Sequence, residues 1–158
     1  FAEELADAAR VVALKYFRSL RSIEYKKDGS PVTVADREAE AMVRQMITER
    51  YPAHSVVGEE HGSVSSDGPW SWVIDPIDGT QRFIHGQPTF GCLIALLFEH
   101  QPVLGIIDMP ALNERWLGVT GKPSIHNGDH CQSNDRELLA EATVFATSIA
   151  ITSNLIVT

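Results

Sequence analysis

With 158 residues, 44% of them hydrophobic and 22% charged, the chain has the length and balance of a single globular domain with a sizeable core, which excludes a disordered or fibrous protein. The 13 Lys and Arg set against 21 Asp and Glu leave a net charge of −8, a sign that argues against nucleic-acid or anionic-membrane surfaces and suits a protein that binds cations. The 2 cysteines form no spaced framework, no apolar run approaches the roughly 18 residues of a membrane span, and no signal pattern opens the chain, so a reducing, cytoplasmic setting is expected.

The chain starts with Phe, already in helical rhythm, and is read as beginning inside a longer sequence. Residues 3–21, EELADAARVVALKYFRSLR, lack Gly and Pro and bring Leu5, Ala8, Ala9, Val12, Ala13, Tyr16 and Phe17 to one face, as an amphipathic helix does. Turn chemistry follows at Asp28-Gly29-Ser30-Pro31. Asp36 then stands at or just inside the start of a second helix, REAEAMVRQMITERYP, which Pro52 stops. HSVVGEEHG reads as a short strand running into Glu59 and Glu60, SVSSDGPW as a surface loop, and WSWVID as a buried strand. That strand is expected to end at Asp75, because Pro76 cannot donate to a ladder and holds its predecessor extended. Gly79 allows a left-handed or closely approached backbone, and Thr80 is read as the cap of a short helix through TQRFIH whose free amides attract anions, phosphate above all. Downstream, FGCLIALLFEHQPVLGIIDMPALNERWLGV and KPSIHNGDHCQSN hold strand-length apolar runs broken by turns, with Asn127-Gly128 marking a hairpin. Two helices followed by strands joined mainly by hairpins predict an α+β fold, the helices packed on a largely antiparallel sheet. CLIALLF and VLGIID resemble strands covered on both faces, yet only two substantial helices are at hand. Either self-association, as a homodimer, or a further segment of a longer chain is therefore expected to cover the second face.

The chemistry gathers where apolar elements give way to loops: Asp36, the pair Glu59-Glu60, and the pair Asp75/Asp78. A carboxylate beside a core costs free energy unless it is paired, hydrogen-bonded or bound to a cation. Hard divalent cations such as Mg²⁺ take oxygen ligands and keep some water, and two of them about 3.5–4 Å apart activate a water and stabilise a leaving oxygen in phosphoryl transfer. Asp75 is placed to bridge such a pair. The competing readings are an Asx-type turn with two solvated aspartates, and a helix-capping Asp36 with no chemical role. His126, His130 and Cys131 in HNGDHC supply three potential zinc ligands without a fourth, an incomplete structural site. Cys92 is read as a core residue, and Trp70, Trp72 and Trp116 as core or rim packing.

The motifs DGSPVTVADREAE, VVGEE and WVIDPIDGTQRFIHG, in this order and spacing, resemble the inositol monophosphatase family of Mg²⁺-dependent, lithium-sensitive phosphatases. The resemblance runs from about residue 3 to about residue 148. It implies the N-terminal half of a layered αβαβα sugar-phosphatase-type fold, a metal-binding α+β domain over 1–148, an unaligned tail over 149–158, and a C-terminal half lying outside this chain that adds one more metal-binding aspartate. It implies two or three Mg²⁺ ions, replaceable by Mn²⁺: Glu59, Asp75 and the carbonyl of Ile77 would hold the first, and Asp75 with Asp78 the second. Asp36 and Thr80 would orient the attacking water, and the amides of Gly79 and Thr80 would receive the phosphate. Glu59, Asp78 and Arg82 would also contact phosphate or substrate, and Glu60 would act behind the ligands through a water or neighbouring group. FIHGQPTFG and NERWLG look most like the histidinol-phosphate phosphatase branch, so the expected activity is hydrolysis of a small phosphate ester, histidinol phosphate, with inositol 1-phosphate as the runner-up and an inactive half-domain as the remaining alternative. Arg82, Glu114 and Arg115 are candidates for substrate discrimination, each with a surface ion pair as its alternative.

Overall fold

The computed structural model describes residues 1–19, 22–135 and 138–141. The first helix, α1 (Ala2–Tyr16), buries Ala2, Leu5, Ala6, Ala9, Val12 and Ala13. It stops five residues short of the expected end: Phe17 turns to an extended conformation, and Arg18 takes a positive φ of 60°. A two-stranded hairpin, β1 (Glu24–Tyr25) and β2 (Pro31–Val32), closes on an Asx turn in which Asp28 Oδ1 accepts from the backbone N and hydroxyl of Ser30 at 3.0 and 2.7 Å. Gly29, with φ 83°, supplies the left-handed step of that turn.

Helix α2 (Val34–Arg50) opens with a capping box. Thr33 is the N-cap, its hydroxyl accepting from Ala35 N at 3.1 Å, and Asp36 closes the box from the third helical position. The strands β3 (Ser55–Gly58), β4 (Gly62–Val64), β5 (Trp70–Asp78), β6 (Gly91–Phe98), β7 (Gln101–Met109), β8 (Glu114–Val119), β9 (Ser124–His126) and β10 (Asp129–Cys131) make one eight-stranded sheet in the order β10-β9-β8-β7-β6-β5-β3-β4. Every pairing in it is antiparallel except β3 with β5. The α+β class and the largely antiparallel sheet are as the sequence predicts. The expected hairpin at Asn127-Gly128 joins β9 to β10, with Gly128 at φ 93°.

One strand departs from expectation. β5 does not stop at Asp75 but passes through Pro76 to Asp78. Asp75 pairs with Leu93 and Asp78 with Gly91, so three steps on β5 face two on β6 and one residue bulges out of the ladder. The bulge is where a proline without an N–H is tolerated inside a strand, and it re-aims the carboxylates on either side of it.

Helices α1 and α2 cover one face. Leu5, Ala9 and Val12 of α1 and Ala39, Val43 and Ile47 of α2 pack against Val56, Trp72, Ile74, Cys92, Ile94 and Ile106 of the sheet. Each large apolar side chain buried there contributes about 1.5–3 kcal/mol. Cys92 is fully buried, and burial pushes its thiol well above the ordinary range, as suits a core residue. A smaller cluster of Ala13, Ala35, Ile77, Phe83 and Phe90 lies beneath the end of β5. The rings of Phe83 and Phe90 meet edge to face with centroids 4.8 Å apart and seat the short helix α3 (Thr80–Ile84). The opposite face of the sheet is an open, mostly apolar hollow of about 760 Å³, lined by Val73, Leu93, Ala95, Ile107, Trp116 and others, with Asp75 among its walls. The boundary expected at residue 148 and the tail 149–158 lie outside the described residues.

Candidate functional site

The parallel pairing of β3 and β5 decides where the carboxylates meet. Both strands run toward the same edge of the sheet, and Gly58 lies opposite Ile74, so Glu59 and Asp75 follow at the same level. Asp75 Oδ1 accepts from Ile77 N at 3.2 Å, so the Asx-type turn of the competing reading is present, and the carboxylate remains on the carboxylate-rich edge. Burial, reinforced by the neighbouring Glu59 and Asp78 carboxylates, pushes the Asp75 carboxyl up to about 7. Asp78 is exposed, one residue before Gly79, whose φ of 82° turns the chain into α3.

Thr80 does not cap α3 as expected. Its hydroxyl points back, 3.1 Å from the Ile77 carbonyl and 3.2 Å from Asp36 Oδ1. A hydroxyl has one proton, so it donates to one of these oxygens at a time. Asp36 divides its two oxygens between its roles. Oδ2 accepts from Thr33 N at 2.8 Å and from the Thr33 hydroxyl at 2.5 Å, completing the cap, and Oδ1 is turned to Thr80. The capping reading and the chemical reading of Asp36 are therefore compatible. Burial raises the Asp36 carboxyl above its usual range despite these hydrogen bonds.

Glu59 and Glu60 carry a partner that the sequence did not suggest. Lys26, on the hairpin between β1 and β2, donates to Glu59 Oε1 at 2.7 Å and to Glu60 Oε1 at 2.8 Å. Burial alone would lower the Lys26 ammonium, but the two carboxylates outweigh it and raise it. Glu60 is nearly buried, its side chain 6% exposed, whereas the Glu59 side chain is 49% exposed. Among the described residues no three His, Cys, Asp or Glu side chains already form a metal cage. The donor set still fits a hard cation. It consists of carboxylate oxygens and the Ile77 carbonyl, and burial with the neighbouring Glu59 and Asp78 carboxylates raises the Asp75 carboxyl, as a site for a cation would.

The candidates for substrate discrimination separate. Arg82 is half-buried against Gly79 in α3 and makes no side-chain hydrogen bond or ion pair among the described residues. Glu114 opens β8, two residues before Trp116, and so shares the open face. Arg115 points the other way. Its Nε lies 2.7 Å from buried Asp108 and its Nη2 2.6 Å from Asp7 of α1, while Arg10 grips Asp108 at 2.7 and 3.0 Å. Arg115 thus ties the first helix to the sheet, and the structure keeps it apart from the Asp75 cluster. In the HNGDHC segment, read as an incomplete zinc site, His126 stacks on Trp116 with ring centroids 4.4 Å apart, and His130 and Cys131 lie across the β9–β10 hairpin. Trp72 is buried in the core, and Trp70 packs on Phe98.

Two contributors to the site escaped sequence reasoning. Lys26 sits in a turn whose length gave no hint of its reach. Glu40 is a fully buried carboxylate on α2, on the face it shares with Asp36 by the four-residue spacing, and that spacing was the available signal.

Comparison with known proteins agrees with this fold. The model of the inositol monophosphatase family matches residues 1–157. A chloroplastic bifunctional phosphatase of Arabidopsis thaliana, IMPL2, is 44% identical over 146 residues, covering 91% of this chain and 42% of the relative. A histidinol-phosphatase of Chlorobaculum parvum is 44% identical over 131 residues, covering 82% of this chain and 50% of the relative. Among solved structures, an inositol monophosphatase from Zymomonas mobilis superposes with a TM-score of 0.71 at 42% identity, covering 84% of this chain and 51% of its own. An IMPase from Thermotoga maritima gives a TM-score of 0.77 at 29% identity, covering 84% and 52%. The chain spans about half the length of the curated relatives it matches. With a family model matched along nearly its whole length, the chain belongs to the inositol monophosphatase family.

Proposed function

We propose that the protein is a Mg²⁺-dependent phosphomonoesterase that hydrolyses a small phosphorylated alcohol, histidinol phosphate above others. The observation that carries the reading is the meeting of Glu59, Asp75 and Asp78 at one sheet edge, with the Asp75 carboxyl pushed to about 7, beside a Thr80 hydroxyl within reach of Asp36. Glu59, Asp75, Asp78 and the Ile77 carbonyl would hold the metal. Divalent cations held there would supply Lewis-acid charge and a water of lowered pKa. The roles of the chain's own groups follow from their surroundings. Asp36 Oδ1 accepts the Thr80 proton, leaving the Thr80 oxygen free to take a proton from the attacking water and hold that water in line. The amides of Gly79 and Thr80, at the start of α3 where no intrahelical acceptor exists, receive phosphate oxygens. Glu60, held by Lys26, supports Glu59 from behind, and Arg82 lies close enough to Gly79 to meet the substrate.

Histidinol phosphate is favoured because FIHGQPTFG and NERWLG follow the pattern of that branch, and because the Chlorobaculum relative named histidinol-phosphatase is 44% identical. The same reading makes the protein a cytoplasmic homodimer, free of nucleic-acid or membrane partners. Among the described residues no helix is long and apolar enough to cross a membrane. The test is a comparison of kcat/KM for the full-length protein: histidinol phosphate should exceed inositol 1-phosphate, and the reverse order would move the protein to the inositol-phosphate branch.

A further inference from the structure

Glu40 is a charge where charges are rarely found. Its side chain is 0% exposed, on the face of α2 turned toward the β3–β4 turn. The carboxylate is spent on that turn. Oε2 accepts from Glu60 N at 2.7 Å and Oε1 from His61 N at 3.0 Å, so the two amides that directly follow Glu59 both end on it. Arg44, one turn along α2, donates its Nε to Oε1 at 2.7 Å and its Nη2 to the carbonyl of Gly62. The Glu40–Arg44 pair thus grips donors and an acceptor on both sides of the turn. Burial works against the Glu40 charge, but the two amides and Arg44 outweigh it and hold the carboxyl below the usual range.

Gly58 adds an independent observation. It is not among the glycines with positive φ, so its backbone conformation is open to other residues. Yet a Cβ built there would lie 2.1 Å from Glu40 Oε1 and 2.4 Å from its Cδ. The glycine just before Glu59 is required by the space the Glu40 carboxylate occupies and by nothing in its own backbone. Glu59 itself is half in solvent, and its side-chain partners among the described residues are Lys26, on a separate hairpin, and the Asp75 carboxyl it has to be placed beside. Its placement beside Asp75 therefore depends on the backbone that Glu40 holds.

We propose that Glu40 is a positioning residue for Glu59: by fixing the backbone of the β3–β4 turn, it sets the affinity of the site for divalent cations. The inference rests on the reading of Glu59 as a cation ligand. Outer groups that orient metal ligands typically change metal affinity by about 10–100-fold when removed.

The test is Mn²⁺ binding, by calorimetry, to the full-length protein and three variants, with thermal melting recorded for each. Glu40→Gln keeps the volume and one acceptor but loses the charge and the second amide bond, and should weaken Kd by about 10–100-fold, with kcat largely restored at saturating metal. Gly58→Ala leaves Glu40 in the chain but drives its carboxylate off the amides, and should weaken Kd to a similar degree. The double variant should be no worse than the weaker single one, because both act through one contact. Val43→Ala, buried in the main core of the same helix, leaves a cavity that lowers the melting temperature, and should leave Kd within twofold. A folded Glu40→Gln protein with Kd within twofold of the original overturns the proposal, as does Val43→Ala weakening Kd equally for an equal loss of melting temperature. Should Glu40→Gln fail to fold, Gly58→Ala decides alone, and an unchanged Kd there overturns it. An unmodified protein that binds no Mn²⁺ removes the ligand reading itself, a different failure from unchanged affinity in the variants.

Discussion

Asp75→Asn is predicted to make the metal-free protein more stable at alkaline pH while abolishing its response to divalent cations. The carboxyl rises from an ordinary 3.8 to about 7 in the folded chain, so the folded state binds more protons than the unfolded state between those values. Stability of the unsubstituted protein accordingly falls as pH rises through this window, and the full penalty is present above pH 7. A shift of about three units at 1.36 kcal/mol each gives an upper bound of about 4 kcal/mol. Asp75 is only half-buried, and water and counterions screen its neighbours, so about 1–2 kcal/mol is the expected gain at pH 8. Asn retains an oxygen to accept from Ile77 N, now at 3.2 Å, so the turn itself survives the substitution. Urea unfolding of the full-length protein in chelator measures the gain. With a slope of about 1–3 kcal/mol/M, the variant's midpoint should lie higher by about 0.3–2 M at pH 8, and the gap should narrow as the pH is lowered toward 4. Saturating Mg²⁺ should reverse the order, because it stabilises only the protein that binds it. A variant less stable than the original at pH 8 in chelator, or a gap independent of pH, would refute the reasoning.

Thr80→Ala should lower kcat by about 10²–10⁴-fold, the range of lost acid–base help, and leave Mn²⁺ affinity nearly unchanged; a kcat within a few-fold of the original would remove the water-activating role. Asp108→Asn leaves Arg10 and Arg115 with half a partner in a fully buried position, and thermal melting should report a loss of about 3–5 kcal/mol with no change in substrate preference. A shift in the ranking of histidinol phosphate over inositol 1-phosphate in that variant would restore Arg115 to the substrate pocket.

The fold was legible where the signal was local. Helical periodicity, the Asp28-Gly29-Ser30 turn, the Asn127-Gly128 hairpin and the apolar runs of β6 and β7 each follow from a few adjacent residues. The end of β5 was misread because a proline normally closes a strand, and only the pairing with β6 reveals that a bulge absorbs it. Thr80 was misread for a related reason. A threonine after Gly looks like a helix cap, but Gly79 in its left-handed conformation makes the entry without a side chain, which frees the hydroxyl for Asp36. The candidate carboxylates were found from the sequence because each stands where an apolar element ends. Lys26, Glu40 and the inward turn of Arg115 were not, since each depends on which residue a distant segment places opposite: Lys26 lies 33 residues from Glu59, Glu40 lies 20 from Glu60, and Arg115 lies 108 from Asp7. Alternation alone would have placed Arg115 opposite Trp116 on β8, and only burial of Asp108 shows which of those faces carries the helices.

The central claim is that the carboxylates at this sheet edge serve a cation-dependent phosphatase. Phosphate release from histidinol phosphate by the full-length protein, followed as Mg²⁺ is added back after chelation, tests it most directly. The account predicts no release in chelator, recovery with Mg²⁺ or Mn²⁺, and no recovery in Asp75→Asn at any metal concentration. Hydrolysis that persists in chelator, or that Asp75→Asn leaves intact, would contradict it.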